Sequence, residues 1–456
     1  MTHTTKSSNE LKRSTLVTYA MPTFGEQMML APIWGILPVL YADNTTASLT
    51  TIGLVFMIAR LFDAFTDPAI GYLTDITRTR FGARKPWIAA GTIISAISVW
   101  FLYQPSSHNG ATYFLITSSL LFLGWTMMTI PYNAWAGELS GDYQERSKLF
   151  AYRNTFGAAG GMLFVISPLY LMHWTGSTEF TLDVLAIVAT FLIIFLPLSV
   201  GVALFATPQG TAPMEDRPSM KGIFTSLKQN KVMWLFITAT ILSGIVQGLF
   251  ASLLFLYHSS YLKLGAYVPL LGAIQYGLIL VTIPLWLKLV GRHGKHKAWA
   301  ISSFGFLLLV PIFLLVEPGE GALYPMIIAA VILGLLHGAL SVSPQSMLTD
   351  IIDLDTLKSG VNRAGSYFSL LTLLSKITTA LGAGIGLSVV GLIGYDQNGP
   401  NDGMVIAQFL MIFTIVPAII YVINGIIILK YPLEKHRQSI IRKRLDQRLA
   451  RTQITP

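Results

Sequence analysis

The chain has 456 residues, 53% of them hydrophobic and only 12% charged, with a net charge of +9 and no cysteine. Soluble domains carry about 25% charged residues, so this chain cannot cover a water-facing surface, and hydrocarbon must solvate much of it. The missing cysteines exclude disulfides, thiolate zinc sites and thiol chemistry.

The polar, basic start, MTHTTKSSNELKRS, leads into an apolar stretch too long for a cleavable leader, and we read that stretch as a retained first span. Apolar stretches long enough to cross a bilayer (about 20 residues at 1.5 Å rise each) fall at 16–41, 50–73, 86–104, 111–134, 155–174 and 183–206. A polar break, TPQGTAPMEDRPSMKG, follows, and six more stretches lie at 233–257, 265–290, 298–316, 322–347, 363–392 and 404–429. The expected layout is an all-α membrane protein with twelve transmembrane helices. An N-terminal bundle (1–206) and a C-terminal bundle (232–430) are joined by a cytoplasmic linker (207–231) and followed by a basic tail (431–456). With both termini inside, 28 of the 31 Lys and Arg fall in inside segments and only Lys263 falls outside, while Arg60 and Lys376 lie within spans. That bias fixes the expected orientation. The basic excess is thus a topology signal, with the tail EKHRQSIIRKRLDQR also placed to touch anionic lipid, and no nucleic-acid partner is expected.

Charged residues inside a bilayer cost at least ~2.5–3.5 kcal/mol each, so each one left there needs a reason. Glu26, on the first span, is either a coupling carboxylate or an interfacial residue. On the second span Arg60, Asp63 and Asp67 are spaced i, i+3, i+7 and share a face, with Thr66 beside them. Two carboxylates one turn apart with a neutral oxygen suit a hard monovalent cation. Left without one they repel, and one of them tends to take up a proton. The alternative is an Arg60–Asp63 pair that only ties helices together. The loop GYLTDITRTRFGARKP at 71–86 alternates acid and base, and Asp75, Arg78 and Arg84 form a candidate charge latch between two conformations. His337 reads as a packing residue rather than a proton relay, and Lys376, deep in the eleventh span, needs an anionic partner. No nucleophile–base pair, metal-ligand cluster or phosphate loop is visible, so an enzyme is not expected and no cofactor is called for.

The string RLFDAFTDPAIGYLTDITRTRFGARKPW resembles the glycoside–pentoside–hexuronide:cation symporters, a branch of the major facilitator superfamily. The segments TIPYNAWAGELSGDYQERSKLFAYRNTFGAAGG and SMLTDIIDLDTLKSGVNRAGSYFSLLTLLSKITTALG carry the resemblance across the rest of the chain. It implies two six-helix bundles, a central cavity, alternating access and a cation site of Asp63, Thr66, Asp67 and Thr126, taking Na+ or H+. It also implies substrate contacts from Gln27, Trp125, Thr129, Asn133, Arg153, Gln345 and Lys376. Two departures stand out against the melibiose-permease pattern in that family. Gln27 and Thr129 stand where that pattern has carboxylates, and Asn133 stands where it has a sugar-stacking Trp, with Trp125 a substitute aromatic face. Two lost carboxylates beside Arg153 and Lys376 favour an anionic solute such as a uronide, although a neutral glycoside fits nearly as well. The expected function is therefore cation-coupled symport of a sugar, glycoside or uronide by a monomer in the bacterial cytoplasmic membrane. A lysolipid carrier or an uncoupled sugar uniporter or exchanger is the alternative.

Overall fold

Hydrocarbon offers no partner to a backbone N–H or C=O, so a chain this apolar must satisfy its backbone within helices. The computed structural model describes residues 11–139, 143–208, 231–360 and 364–433, with 437–441, 443–444 and 447 beyond them, and it is helical throughout, with no strand among the described residues. The first unit, Met1–Glu215, holds six helical segments. α1 (Arg13–Leu30) passes through a 3-10 turn at Ala31–Trp34 into Ile36–Asn44. α2 is Leu49–Ile76, α3 Lys85–Leu102 and α4 Ala111–Leu139. α5 (Tyr143–Val165) continues through a 40° bend into Ser167–Thr175, and α6 is Leu182–Ala206.

The second unit, Asp216–Pro456, begins with α7 (Lys231–Leu256), which runs into a π-turn at Tyr257–Tyr261. α8 is Val268–His293, and α9 runs from Lys295–Gly305 through a 3-10 turn to Val310–Leu315. α10 is Leu323–Ser359 and α11 Ala364–Leu392. α12 runs from Gly403–Leu410 through a second π-turn, Met411–Ile415, into Val416–Leu429. Among the described residues ten helices are long and apolar enough to cross a membrane, and eleven if the bent pair in α5 is one span. With α1, whose Glu26, Gln27 and threonines lower its hydropathy, the segments number twelve, as the apolar stretches predict. Most of the linker, 209–230, lies outside the described residues, as does much of the tail.

Local signals set the ends. The hydroxyl of Ser48 accepts from Thr51 N at the start of α2, and Thr181 does the same for Val184 N at α6 (3.2 and 3.4 Å). Pro86 sits in the first turn of α3, where the missing N–H costs nothing. Gly360, at φ +77°, closes α10 in the left-handed region that glycine reaches without strain.

Two helices outrun their apolar stretches. α5 starts at Tyr143 rather than near 155, and α10 runs to Ser359 rather than 347. The extra turns of α10 carry Asp350, whose Oδ1 accepts from Lys295 Nζ at 2.7 Å, and the same Nζ donates to Ser346 O at 2.8 Å. The interval 348–363, read from hydropathy as a loop, is therefore helical as far as Ser359.

Packing repeats between the units. α1 packs on α5 and α6, α2 on α4, and α3 on α4 and α6; within the second unit α7 packs on α11 and α12, α8 on α10, and α9 on α10 and α12. The tightest contacts use glycine, as expected where helices associate without a hydrophobic driving force. A Cβ at Gly160 of α5 would fall on the carbonyl oxygen of Phe24 in α1, and one at Gly382 of α11 on that of Ile245 in α7. The two π-turns also meet, with Tyr257 stacked on Phe413 at 4.4 Å between ring centroids.

Candidate functional site

The face of α2 predicted from spacing meets α4. Asp63 is fully buried (0% exposed), and its Oδ1 lies 2.7 Å from the hydroxyl of Thr126 on α4. The same hydroxyl lies 2.9 Å from Asp67 Oδ1. One Thr oxygen thus bridges two carboxylates presented by successive turns of α2. A hydroxyl has one proton to give. With both carboxylates ionised, one of these two short contacts lacks a proton, and an added proton or cation would satisfy it. Thr66, the other predicted oxygen, donates back to Asp63 O of its own helix at 2.9 Å, so its proton is engaged there. Among the described residues no group of three or more His, Asp or Glu side chains is arranged to hold a metal ion.

Arg60 completes the cluster. It is 3% exposed, and its Nη1 lies 3.5 Å from Asp63 Oδ2. Its guanidinium carbon sits 3.9 Å from the ring centroid of Trp34 and 4.1 Å from that of Phe122, with Phe56 at 5.8 Å. Trp34 reaches it because α1 breaks into the 3-10 turn Ala31–Trp34. The Nε and Nη2 atoms are buried and make no hydrogen bond. Aromatic faces, more than hydrogen bonds, hold this cation.

One turn along α4 a second polar group forms around Glu26. This residue is 3% exposed, and its Oε1 accepts from Trp125 Nε1 at 2.8 Å and from Thr129 Oγ1 at 3.1 Å. Spacing on α1 could not reveal these partners, because they depend on which helix α1 faces. The sequence comparison counted carboxylates as lost near Thr129, yet Glu26 supplies one to the same side chains. Beyond it, buried Arg153 on α5 donates to Asn133 Oδ1 and to Thr23 Oγ1 (3.4 Å) and lies 4.5 Å from the Tyr132 ring. Gln27 is exposed and lies over Gly157. Gln345, exposed on α10, and Lys376, half-buried on α11, belong to the second unit. His337 hydrogen-bonds Leu333 O through Nδ1 at 3.0 Å.

The loop between α2 and α3 is held by its own contacts. Arg84 Nη1 donates to Thr74 Oγ1 at 3.1 Å, Trp87 Nε1 to Thr77 Oγ1 at 2.8 Å, and exposed Arg78 to Thr77 O at 3.0 Å. The side chain of Asp75 lies outside the described residues. Lys85 was missed by sequence reasoning. Its Nζ donates to Leu204 O and Thr207 O at 2.6 and 2.9 Å, placing a cation on the carbonyl end of α6. The acid–base pattern of the loop drew attention to its neighbours, but a lysine at a helix start carries no such signal.

The family model for "MFS/sugar transport protein" matches residues 18–435. The chain is 26% identical over 428 residues to the inner membrane symporter YicJ of Escherichia coli (strain K12), covering 88% of each chain. It is 25% identical over 442 residues to the isoprimeverose transporter of Lactiplantibacillus pentosus, covering 91% of this chain and 88% of that one. The crystal structure of nucleoside transporter NupG superposes with a TM-score of 0.66 at 14% identity, over 92% of this chain and 100% of that one.

Proposed function

The chain belongs to the MFS/sugar transport protein family, and on that premise we propose that it moves a sugar, glycoside or uronide across the bacterial cytoplasmic membrane together with one Na+ or H+, by alternating access. It is an integral membrane protein of that family's fold. The observation that carries the coupling is the Thr126 hydroxyl within bonding distance of both Asp63 and Asp67. Two carboxylates on α2 share one hydroxyl proton from α4, so a bound cation or proton would relieve the repulsion between Asp63 and Asp67. Oxygen donors alone suit a hard monovalent ion. Thr66 stands beside them as a further neutral oxygen.

The solute is assigned to the neighbouring polar group. Trp125, Thr129, Asn133 and Arg153 present an indole face, hydroxyl and amide groups and a guanidinium, with Gln27 on α1; Gln345 and Lys376, on helices of the second unit, keep the solute role that the family resemblance implies for them. Its likeness to an inner membrane symporter and to an isoprimeverose transporter supports a sugar as the solute. Glu26 offsets Arg153, which supports a neutral glycoside more than the composition of the motif alone did. Asp75, Arg78 and Arg84 are the proposed latch, and the basic inside segments support cytoplasmic termini.

The test is accumulation of labelled sugars and uronides in right-side-out vesicles with and without a Na+ gradient, and at two pH values. Asp63→Asn or Asp67→Asn should abolish uphill accumulation and leave downhill exchange. Linkage requires solute and cation each to tighten the other's binding by the same factor. If wild-type accumulation ignores both Na+ and pH and both variants accumulate normally, the chain is a uniporter or exchanger.

A further inference from the structure

In the first unit's share of the solute group, the charged side chains lie behind the neutral ones. Glu26 and Arg153 are 3% and 7% exposed, whereas Thr129 is half-buried and Asn133 is exposed. Each charge grips one of those neutral groups. Glu26 Oε1 lies 3.1 Å from Thr129 Oγ1, and Arg153 Nη1 donates to Asn133 Oδ1. Each is also tied elsewhere. Glu26 Oε1 accepts from Trp125 Nε1 at 2.8 Å. Arg153 Nε donates to Thr23 Oγ1 at 3.4 Å, and its guanidinium carbon sits 4.5 Å from the Tyr132 ring centroid.

The polarity of these bonds is fixed by chemistry. A guanidinium has five N–H donors and no acceptor, so only the amide oxygen of Asn133 can face Arg153, and the Asn133 NH2 group is turned away from it. An indole N–H is also donor-only, so Glu26 Oε1 is an acceptor. The Thr129 hydroxyl must then give its one proton to Glu26 and offer lone pairs to anything else. Thr129 and Asn133 are spaced i, i+4, which makes them neighbours on one face of α4.

We propose that Glu26 and Arg153 are positioning residues that set Thr129 as a hydrogen-bond acceptor and Asn133 as a donor, one helical turn apart, and that these two neutral groups meet the solute. The class of solute this fits is a glycoside that presents two hydroxyls, one donating to Thr129 Oγ1 and the other accepting from Asn133 Nδ2. A sugar hydroxyl can take either part. A carboxylate only accepts, so a uronide must turn its acid group away from Thr129, where it would meet lone pairs backed by Glu26. This inference rests on the assignment of the solute to this group and narrows it: the family resemblance gives Arg153 a direct solute contact, and the geometry gives it an indirect one through Asn133.

The test is a double-mutant cycle on the full chain in detergent, read as solute affinity by isothermal titration with Na+ present and pH fixed. The probes are the methyl glycosides of xylose, glucose and galactose, with methyl glucuronide as the anionic member, and the tightest binder is carried through the variants. Asn133→Ala and Thr129→Val should each weaken it about three- to tenfold, the worth of one neutral hydrogen bond. Arg153→Gln should lose no more than Asn133→Ala does, since a glutamine amide can donate or accept and no longer fixes Asn133. Arg153→Lys, still donor-only, should lose less than Arg153→Gln. In the Asn133→Ala background neither Arg153 variant should weaken binding further, because a residue that acts through Asn133 then has nothing left to act on. Losses that multiply in the double variants would place Arg153 on the solute itself and overturn the proposal. So would wild-type affinity in Asn133→Ala alongside a loss in Thr129→Val. That pair decides the matter even if neither Arg153 variant folds. Unchanged affinity in both Asn133→Ala and Thr129→Val, or no binding of any probe, instead brings down the solute assignment itself.

Discussion

Replacing Thr126 by Val keeps the shape of a fully buried side chain and removes one oxygen. That oxygen reaches both Asp63 and Asp67, at 2.7 and 2.9 Å. Because it has one proton, it can donate to only one carboxylate at a time, so the loss is one charge-assisted hydrogen bond of ~1.5–3 kcal/mol rather than two. If the oxygen also ligates the bound cation, that loss falls on the cation-bound state. The half-saturating cation concentration should then rise about ten- to a hundredfold, at one decade per ~1.4 kcal/mol. The assay is solute binding by isothermal titration at stepped Na+ concentrations, repeated across pH. Thr126→Ser, which restores the oxygen, should return most of the affinity. Melting the cation-free proteins separates a general loss of stability from a loss of coupling. A Val variant with wild-type cation dependence would show that the bridging hydroxyl is packing, and that the carboxylates serve helix contact rather than ion binding.

Three further outcomes follow from the same geometry. Glu26→Gln keeps an acceptor for Trp125 and Thr129 but removes the charge. Solute affinity should fall about tenfold, the difference between charged and neutral hydrogen bonds, with cation dependence intact, as equilibrium binding would show; unchanged affinity would remove Glu26 from the solute group. Gly160→Val forces a side chain onto the Phe24 carbonyl and should lower the unfolding temperature through overpacking worth ~1–3 kcal/mol, whereas a wild-type melting curve would mean α1 and α5 separate freely. Single cysteines at Ser107 and Ser359 report orientation: an impermeant thiol reagent on intact cells should label the first and spare the second, and the reverse pattern would invert the topology.

Much of the first unit's chemistry was legible in the chain because it lies on one helix. Arg60, Asp63 and Asp67 share a face through helical period alone, and the cost of buried charge marked them. Thr126 came only from resemblance, since no spacing rule links α2 to α4. The partners of Glu26 were hidden for the same reason, and so was the cage around Arg60, whose lid, Trp34, depends on where α1 breaks. Hydropathy placed the helices well but misjudged the start of α5 and the end of α10, because it registers the length solvated by lipid and not the length that stays hydrogen-bonded. The side chains of Asp350 and Lys295 keep α10 helical after its apolar run has ended.

The stacked π-turns of α7 and α12 carry a practical consequence for anyone numbering faces. Each wide turn accommodates one residue more than an α-turn, as the bond from Leu262 N to Tyr257 O shows at 3.0 Å. Side chains beyond it are therefore rotated by about 100° from where an unbroken helical wheel would draw them. A wheel drawn through α12 from Gly403 to Leu429 would assign Tyr421 and Asn424, both buried, using a phase that Met411–Ile415 has already shifted. A cysteine or tryptophan scan of α12 should restart its count after Ile415, and its periodicity should break there and hold on either side, whereas α7 ends with its wide turn at Tyr261.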